Sequence, residues 1–193
     1  MTRRSIAAGG YMYKLLFLSL LMVGAKMSAI EIDNVEYPVV GFGTSPLTGK
    51  TCTEAVEKAF KNGYRIFDTA TRYGNFESIA KALKKCKREE CYIISKVWHD
   101  EHAPKDLWSD LNFTLEQLNT SYIDAYFLHW PNSQIPIEKT LATMEEMRQK
   151  KKIRHIGLSN VNVNHLKRAL EMHIPITWVQ VEMNPYFFLI NNQ

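Results

Sequence analysis

The chain has 193 residues, 46% of them hydrophobic and 23% charged, an ordinary globular mixture long enough to bury a core and close to single-domain size. Its formal charge of +4 draws on Arg3, Arg4 and Lys14 in an N-terminal stretch that holds no acid, so the rest is nearly neutral and lacks the basic stripe of a nucleic-acid binder. Three cysteines, Cys52, Cys86 and Cys91, with no Cys-x-x-Cys spacing, argue against a disulfide framework or a zinc site; either Cys86 pairs with Cys91 or all three are free thiols.

Residues 1–29 read as a leader rather than as fold. Basic residues precede the apolar run Leu15–Val23, and small residues follow around Val23-Gly24-Ala25 and Met27-Ser28-Ala29. That run is shorter than the roughly 20 residues of a spanning helix, so export is favoured over a stable membrane span. Met12 is an alternative start that would leave a more compact leader. An uncleaved anchor and a misplaced start are the rival readings.

From Ile30 the chain alternates. Ile30-Glu31-Ile32, a turn at Asp33-Asn34 and Val35–Pro38 suit a hairpin. Val39–Thr44 suits a buried first strand whose glycines allow close backbone approach. Thr51-Cys52-Thr53-Glu54 has capping-box spacing, and a helix with Ala55, Val56, Ala59 and Phe60 on one face is closed by Gly63. A second strand ends at Asp68, and a helix follows over Glu77–Cys86. The third strand is Cys91–Val97, with a helix over Pro104–Asn119. The fourth strand is Ile123–His129, with a helix over Ile137–Lys151 whose Lys150-Lys151-Lys152 end is a solvated cap. The fifth is Ile153–Leu158, with a helix over Asn162–His173, and the sixth is Trp178–Met183.

Six strands, each but the last followed by a helix, predict a parallel α/β sheet. Neither a glycine-rich dinucleotide fingerprint nor GxxxxGK[ST] occurs, which weakens the doubly wound nucleotide folds and leaves a (β/α)₈ barrel, two β/α units short. In either architecture chemistry collects at the carboxyl ends of the strands. Asp68, Lys96 and His129 end three successive strands, and Tyr73 follows Asp68 in a loop. Singly, each has a structural explanation: an N-cap, a loop aromatic, a rim cation, a satisfied core histidine. Together they form one candidate site. His99 and His102 lie close in sequence but supply only two metal ligands.

Gly63-Tyr64-Arg65-Ile66-Phe67-Asp68-Thr69-Ala70-Thr71-Arg72-Tyr73-Gly74-Asn75 resembles the first signature of the aldo-keto reductases, and Tyr122–Pro131 their second. Ile156–Asn160 and Gln180–Tyr186 resemble further segments of that family, in order and correctly spaced, so the likeness covers about Ile30 to Phe187. Phe76 standing before Glu77, Ala80 in place of a common glycine and Ser45 in place of a frequent aromatic depart from the family pattern. The resemblance implies a TIM-type (β/α)₈ barrel with an N-terminal hairpin, incomplete at about six of eight β/α units, occupying 30–193. The segments implied to stack on the nicotinamide, grip the 2′-phosphate and shape specificity lie beyond what this chain matches. A truncated form is therefore expected, with unpaired edges on the first and sixth strands and low solubility.

The activity implied is NAD(P)H-dependent reduction of small-molecule aldehydes or ketones by a monomer, with NADPH the implied cofactor and NADH left open. Tyr73 is the implied proton donor, tuned by the Lys96 ammonium; Asp68 holds Lys96; neutral His129 orients the carbonyl oxygen. Gly43, Thr44, Asp68, Ser159, Asn160 and Gln180 are the implied cofactor contacts, and Trp98 and Trp130 the substrate walls. Capping and turn formation are the competing roles of Ser159 and Asn160, and core packing that of Trp130. A cofactor-binding barrel without turnover and an inactive remnant are the alternatives. Location stays open, since the leader points to export and the family to the cytosol.

Overall fold

The computed structural model describes residues 29–184. The leader, apart from Ala29, and residues Pro185–Phe187 of the last family segment lie outside them. An antiparallel hairpin, β1 (Ala29–Ile32) and β2 (Val35–Pro38), opens the fold. Asp33 and Asn34 both take positive φ, 52° and 62°, the backbone that a two-residue hairpin turn demands and that Asp and Asn tolerate best.

Six strands then pair in parallel and in chain order: β3 (Phe42–Gly43), β4 (Ile66–Asp68), β5 (Tyr92–Val97), β6 (Ile123–Leu128), β7 (Ile153–Ser159) and β8 (Ile176–Gln180). The crossovers carry α1 (Gly49–Lys61), α2 (Phe76–Leu83), α3 (Pro104–Gln117), α4 (Ile137–Gln149) and α5 (Val163–Glu171). The result is an incomplete (β/α) barrel of six strands. Among the described residues no helix is long and apolar enough to cross a membrane.

Two apolar layers follow from the strand period. Ile93, Tyr126, Leu128 and Ile156 face the helices and meet Val56, Ile79, Leu111, Leu141 and Met144. Tyr92, Ile94, Ala125 and Phe127 face inward, where Ile32 and Tyr37 of the hairpin and Trp178 of β8 pack on them. β5 and β6 are buried at every position, as expected for parallel strands covered on both faces. β8 is only partly covered, with alternate residues exposed.

Three local expectations need correction. The capping box at Thr51–Glu54 does not form: α1 begins three residues earlier than that box implies, at Gly49, whose φ of 53° turns the chain, and its N-cap Thr48 makes no side-chain bond. A capping box occurs instead on α5, where Asn162 accepts from the His165 N–H and His165 reaches back. The first strand is shorter than Val39–Thr44, because β4 offers only a three-residue partner; Val39 and Val40 are exposed. β8 runs from Ile176 to Gln180 rather than Trp178 to Met183, since pairing ends where β7 ends, at Ser159 opposite Gln180. The close approach expected at a glycine is present at Gly41, where an added Cβ would lie 3.2 Å from the Ile66 side chain.

Candidate active site

Parallel strands deliver their last residues to one face, and that face collects the residues singled out from the sequence. Asp68 ends β4, Lys96 lies near the end of β5, His129 follows β6, Ser159 ends β7 and Gln180 ends β8. The His129 N–H donates to the Val97 carbonyl at 3.0 Å, which fixes the step from β6 into the loop. Tyr73 comes from a single 3₁₀ turn, Thr71–Tyr73, that Gly74 closes in the left-handed conformation at φ 62°.

Lys96 is the centre of the site. Its side chain is 2% exposed, and its ammonium is paired with Asp68. The same Nζ donates to the Thr69 carbonyl at 3.2 Å and lies 3.4 Å from the Tyr73 hydroxyl. Burial pulls the lysine pKa down, and the Asp68 charge and hydrogen bond pull it back up. The other carboxylate oxygen of Asp68 accepts from the Gln180 side-chain amide at 2.9 Å.

His129 is buried beside this pair. Its ring stands edge-on to Tyr73, centroids 5.8 Å apart, and edge-on to Trp98 at 5.0 Å. Its Nδ1 is buried with no hydrogen-bond partner among the described residues. Burial, and then the Lys96 charge, hold its pKa down to about 4, so the ring is neutral at physiological pH. Tyr73 departs from the sequence expectation. Burial first, and then the Asp68 charge, raise its pKa to about 12, so the ammonium at 3.4 Å does not make it an acidic phenol.

The remaining positions divide. Ser159 is buried, and the Asn160 amide donates to its hydroxyl at 3.0 Å and to the His129 carbonyl at 2.9 Å. Asn160 itself has φ 57°, so it shapes a turn; the helix is started by Asn162, not by Ser159 or Asn160. Gly43 is exposed with open space where a Cβ would be. Thr44 is fully buried and turned inward: its N–H and its hydroxyl both donate to the Asp68 carbonyl, at 3.0 and 2.9 Å. Trp98 is half-buried between His129 and the Arg72 guanidinium, 5.2 Å from its ring centre, and Arg72 is ion-paired to Asp100 at 2.9 Å. Trp130 is 45% exposed, which removes the core-packing reading.

Asn75 is the residue that sequence reasoning missed. It is 1% exposed, accepts the Thr69 hydroxyl at 2.7 Å, and donates to Thr44 Oγ1 and to the Leu47 carbonyl, both at 3.0 Å. It thereby ties the loops after β3 and β4 together beneath Asp68. Its position at the end of the first signature was the available signal.

Below Asp68, a cavity of about 520 Å³ opens along the inside of the sheet, bordered by Gly43, Gln180, Ile94, Phe127 and Trp178. Among the described residues no three His, Cys, Asp or Glu side chains gather as a metal site, and Cys52, Cys86 and Cys91 are free thiols. His102 is buried with neither ring nitrogen bonded among the described residues, and burial holds its pKa down to about 4.

Residues 39–193 match the model of the Aldo/keto reductase family. The chain is 36% identical over 157 residues to the glyoxal reductase of Bacillus subtilis, covering 79% of this chain and 56% of that one. It is 35% identical over 169 residues to the methylglyoxal reductase DkgA of Escherichia coli O157:H7, covering 85% and 60%. Among solved structures, the thermostable aldo-keto reductase Tm1743 superposes with a TM-score of 0.78 at 37% identity, over 82% of this chain and 63% of that one. The Bombyx mori aldo-keto reductase AKR2E4, in complex with NADP, gives 0.74 at 27% identity, over 84% and 60%. The chain thus spans somewhat more than half the length of the curated relatives it matches. With that match over most of its length, the chain belongs to the aldo/keto reductase family.

Proposed function

We propose that the chain carries the catalytic face of an NADPH-dependent reductase of small aldehydes and ketones. The reading takes residues 30–193 as one barrel domain acting as a monomer. The observation that supports it is the convergence on Lys96: one buried ammonium touches both Asp68 and Tyr73, and neutral His129 stands beside them with an unpartnered buried nitrogen. A structural ion pair has no use for the tyrosine and the histidine.

The residues fit a nicotinamide group in part. Gly43 leaves space above the cavity, and the side-chain carbonyl oxygens of Asn160 and Gln180 carry no hydrogen bond among the described residues. These residues, with Ser159, would hold the carboxamide. Thr44 does not fit that role, because both its donors are spent on the Asp68 carbonyl. When bound, the reduced nicotinamide supplies the hydride.

What the chain supplies is the proton and the orientation. His129 offers a ring N–H to the carbonyl oxygen, and at a pKa of about 4 it stays neutral and brings no competing charge. Tyr73 gives its proton to the oxygen as negative charge develops there. A phenol raised to about 12 still serves. The alkoxide is a base of roughly hydroxide strength, stronger than the phenolate, so the transfer runs downhill. The Lys96 ammonium, 3.4 Å from the phenol oxygen, then stabilises the phenolate left behind, and Asp68 keeps that ammonium charged inside the protein. Trp98 and Trp130 would bound a compact pocket. The relatives named for glyoxal and methylglyoxal favour small, activated carbonyl substrates for it.

The test is a titration of the full chain with NADPH, following tryptophan fluorescence, together with turnover of methylglyoxal by wild type and Tyr73→Phe. Saturable quenching in both proteins, with turnover reduced about 10²- to 10⁴-fold in the variant, is the expected result. Equal turnover in the two proteins would refute the role of Tyr73. A folded sample that shows no quenching would refute the cofactor assignment.

A further inference from the structure

The opposite face of the barrel holds a second constellation that the reductase reading does not use. At the amino-terminal ends of β7 and β8, a cleft of about 470 Å³ lies between those strands, the end of α4 and the hairpin turn. Its walls include Arg148, Lys151, Arg154, His155 and Thr177, with Asp33 as the acid among them. We propose that this cleft binds a small phosphate-bearing anion, such as a phosphate ester or pyrophosphate.

The charge balance supports it. Arg88, outside the cleft, and Arg154, in its wall, both pair with the one buried carboxylate of Asp124, at 2.5 and 3.2 Å, so the three groups together carry one net positive charge; the Asp33 carboxylate, bonded to His155, offsets it, and the Lys151 ammonium then leaves the cleft net positive. Those two guanidiniums also sandwich the Tyr122 ring, at 4.1 and 4.2 Å from its centre, which fixes the Arg154 head at the cleft wall. Lys151 adds an exposed ammonium with no ion pair among the described residues. Arg148 is bound to Glu145 and adds no net charge.

Cations at a helix end commonly answer the macrodipole, and that accounts for Arg148 and Lys151. It does not account for Arg154 and His155, which come from a strand. His155 bonds Asp33 through Nε2 at 2.9 Å and Thr177 Oγ1 through Nδ1 at 3.2 Å. Because the carboxylate can only accept, Nε2 carries the hydrogen, and in the neutral ring Nδ1 accepts from the Thr177 hydroxyl. That hydroxyl is on an exposed strand position and can turn to an incoming oxygen. Guanidinium, ammonium and hydroxyl converging from three elements match an anion with several acceptor oxygens better than they match a single carboxylate.

The experiment is calorimetric titration of the full chain with inorganic pyrophosphate, for wild type and Lys151→Glu, alongside the NADPH quenching titration. Lys151 is exposed and remote from Asp68 and Lys96, so the variant should fold and bind NADPH as wild type does. Saturable pyrophosphate binding, weakened about tenfold in the variant by the reversed charge and weakened further by salt, is expected. Thr177→Val should weaken it as well. Equal affinity in wild type and Lys151→Glu would place the pyrophosphate elsewhere, the cofactor face included, and overturn the proposal. So would absence of saturable binding, or sedimentation with phosphoinositide vesicles without any binding of free pyrophosphate.

Discussion

Replacing Asp68 with asparagine tests the interaction on which the catalytic face depends. The change is nearly isosteric and keeps an acceptor for Gln180, but it removes the charge opposite Lys96, which is 2% exposed. Two unit charges about 4 Å apart at an effective dielectric of about 20 interact by roughly 4 kcal/mol. Removing one partner of a buried pair costs about 3–5 kcal/mol, a large share of the about 5–15 kcal/mol that holds a domain together. The contacts left to Lys96, the Thr69 carbonyl and the Tyr73 hydroxyl, are neutral and cannot replace that charge. Urea unfolding followed by circular dichroism at neutral pH should therefore show a destabilisation of about 3–4 kcal/mol at unchanged m-value.

The pH dependence carries the sign. Burial already lowers the folded-state pKa of Lys96 below its unfolded value. Between those two values the unfolded state binds more protons, so this group makes stability rise with pH. Without Asp68 the folded pKa falls further and the window widens downward, so the variant should recover stability on going to alkaline pH more steeply than wild type. Adding Lys96→Met to the variant should remove the buried charge and return much of the loss. A loss below about 1 kcal/mol, or no recovery in the double variant, would show that Lys96 is already neutral and would refute the charge-pair account.

Three other outcomes follow from the same geometry. With His129 at about 4 and Tyr73 at about 12, kcat/KM for carbonyl reduction should be flat from about pH 6 to pH 9; an ionisation within that range would contradict the assigned roles. Glu101, raised to about 7 by burial and by the neighbouring Asp110 carboxylate, holds its proton more tightly folded than unfolded, so stability should fall as pH rises from about 4.5 to 7. Glu101→Gln should flatten that slope by roughly 1 kcal/mol after solvent screening, read by denaturation at two pH values. Asn75→Ala should cost about 2–4 kcal/mol, because it strands the buried Thr69 hydroxyl and removes the amide that Thr44 Oγ1 and the Leu47 carbonyl accept from, and a thermal melt within a degree of wild type would deny Asn75 its bracing role.

Much of the architecture was legible in the chain alone. The strand and helix periods located six parallel strands and five helices, and carboxyl-end positions grouped Asp68, Lys96 and His129, because in a parallel sheet consecutive strand ends share one face. Tyr73 joined them from the loop after Asp68, and the family segments extended that grouping to Ser159, Asn160 and Gln180. These features are local: each is written within one strand, one turn or one short motif.

What the sequence could not settle lies in contacts between residues far apart along the chain. Gln180 reaches Asp68 across 112 residues, Asn75 reaches Thr44 across 31, and the inward turn of Thr44 depends on the Asp68 carbonyl 24 residues on. The end of β8 was decided by the length of β7, and the short β3 by the three residues of β4. The phenol of Tyr73 rises although an ammonium lies nearby, since burial and the Asp68 charge act on it as well. Pattern reports which residue types recur and at what spacing. Burial, charge balance and hydrogen-bond partners are properties of the packed site, and only the tertiary structure assigned them.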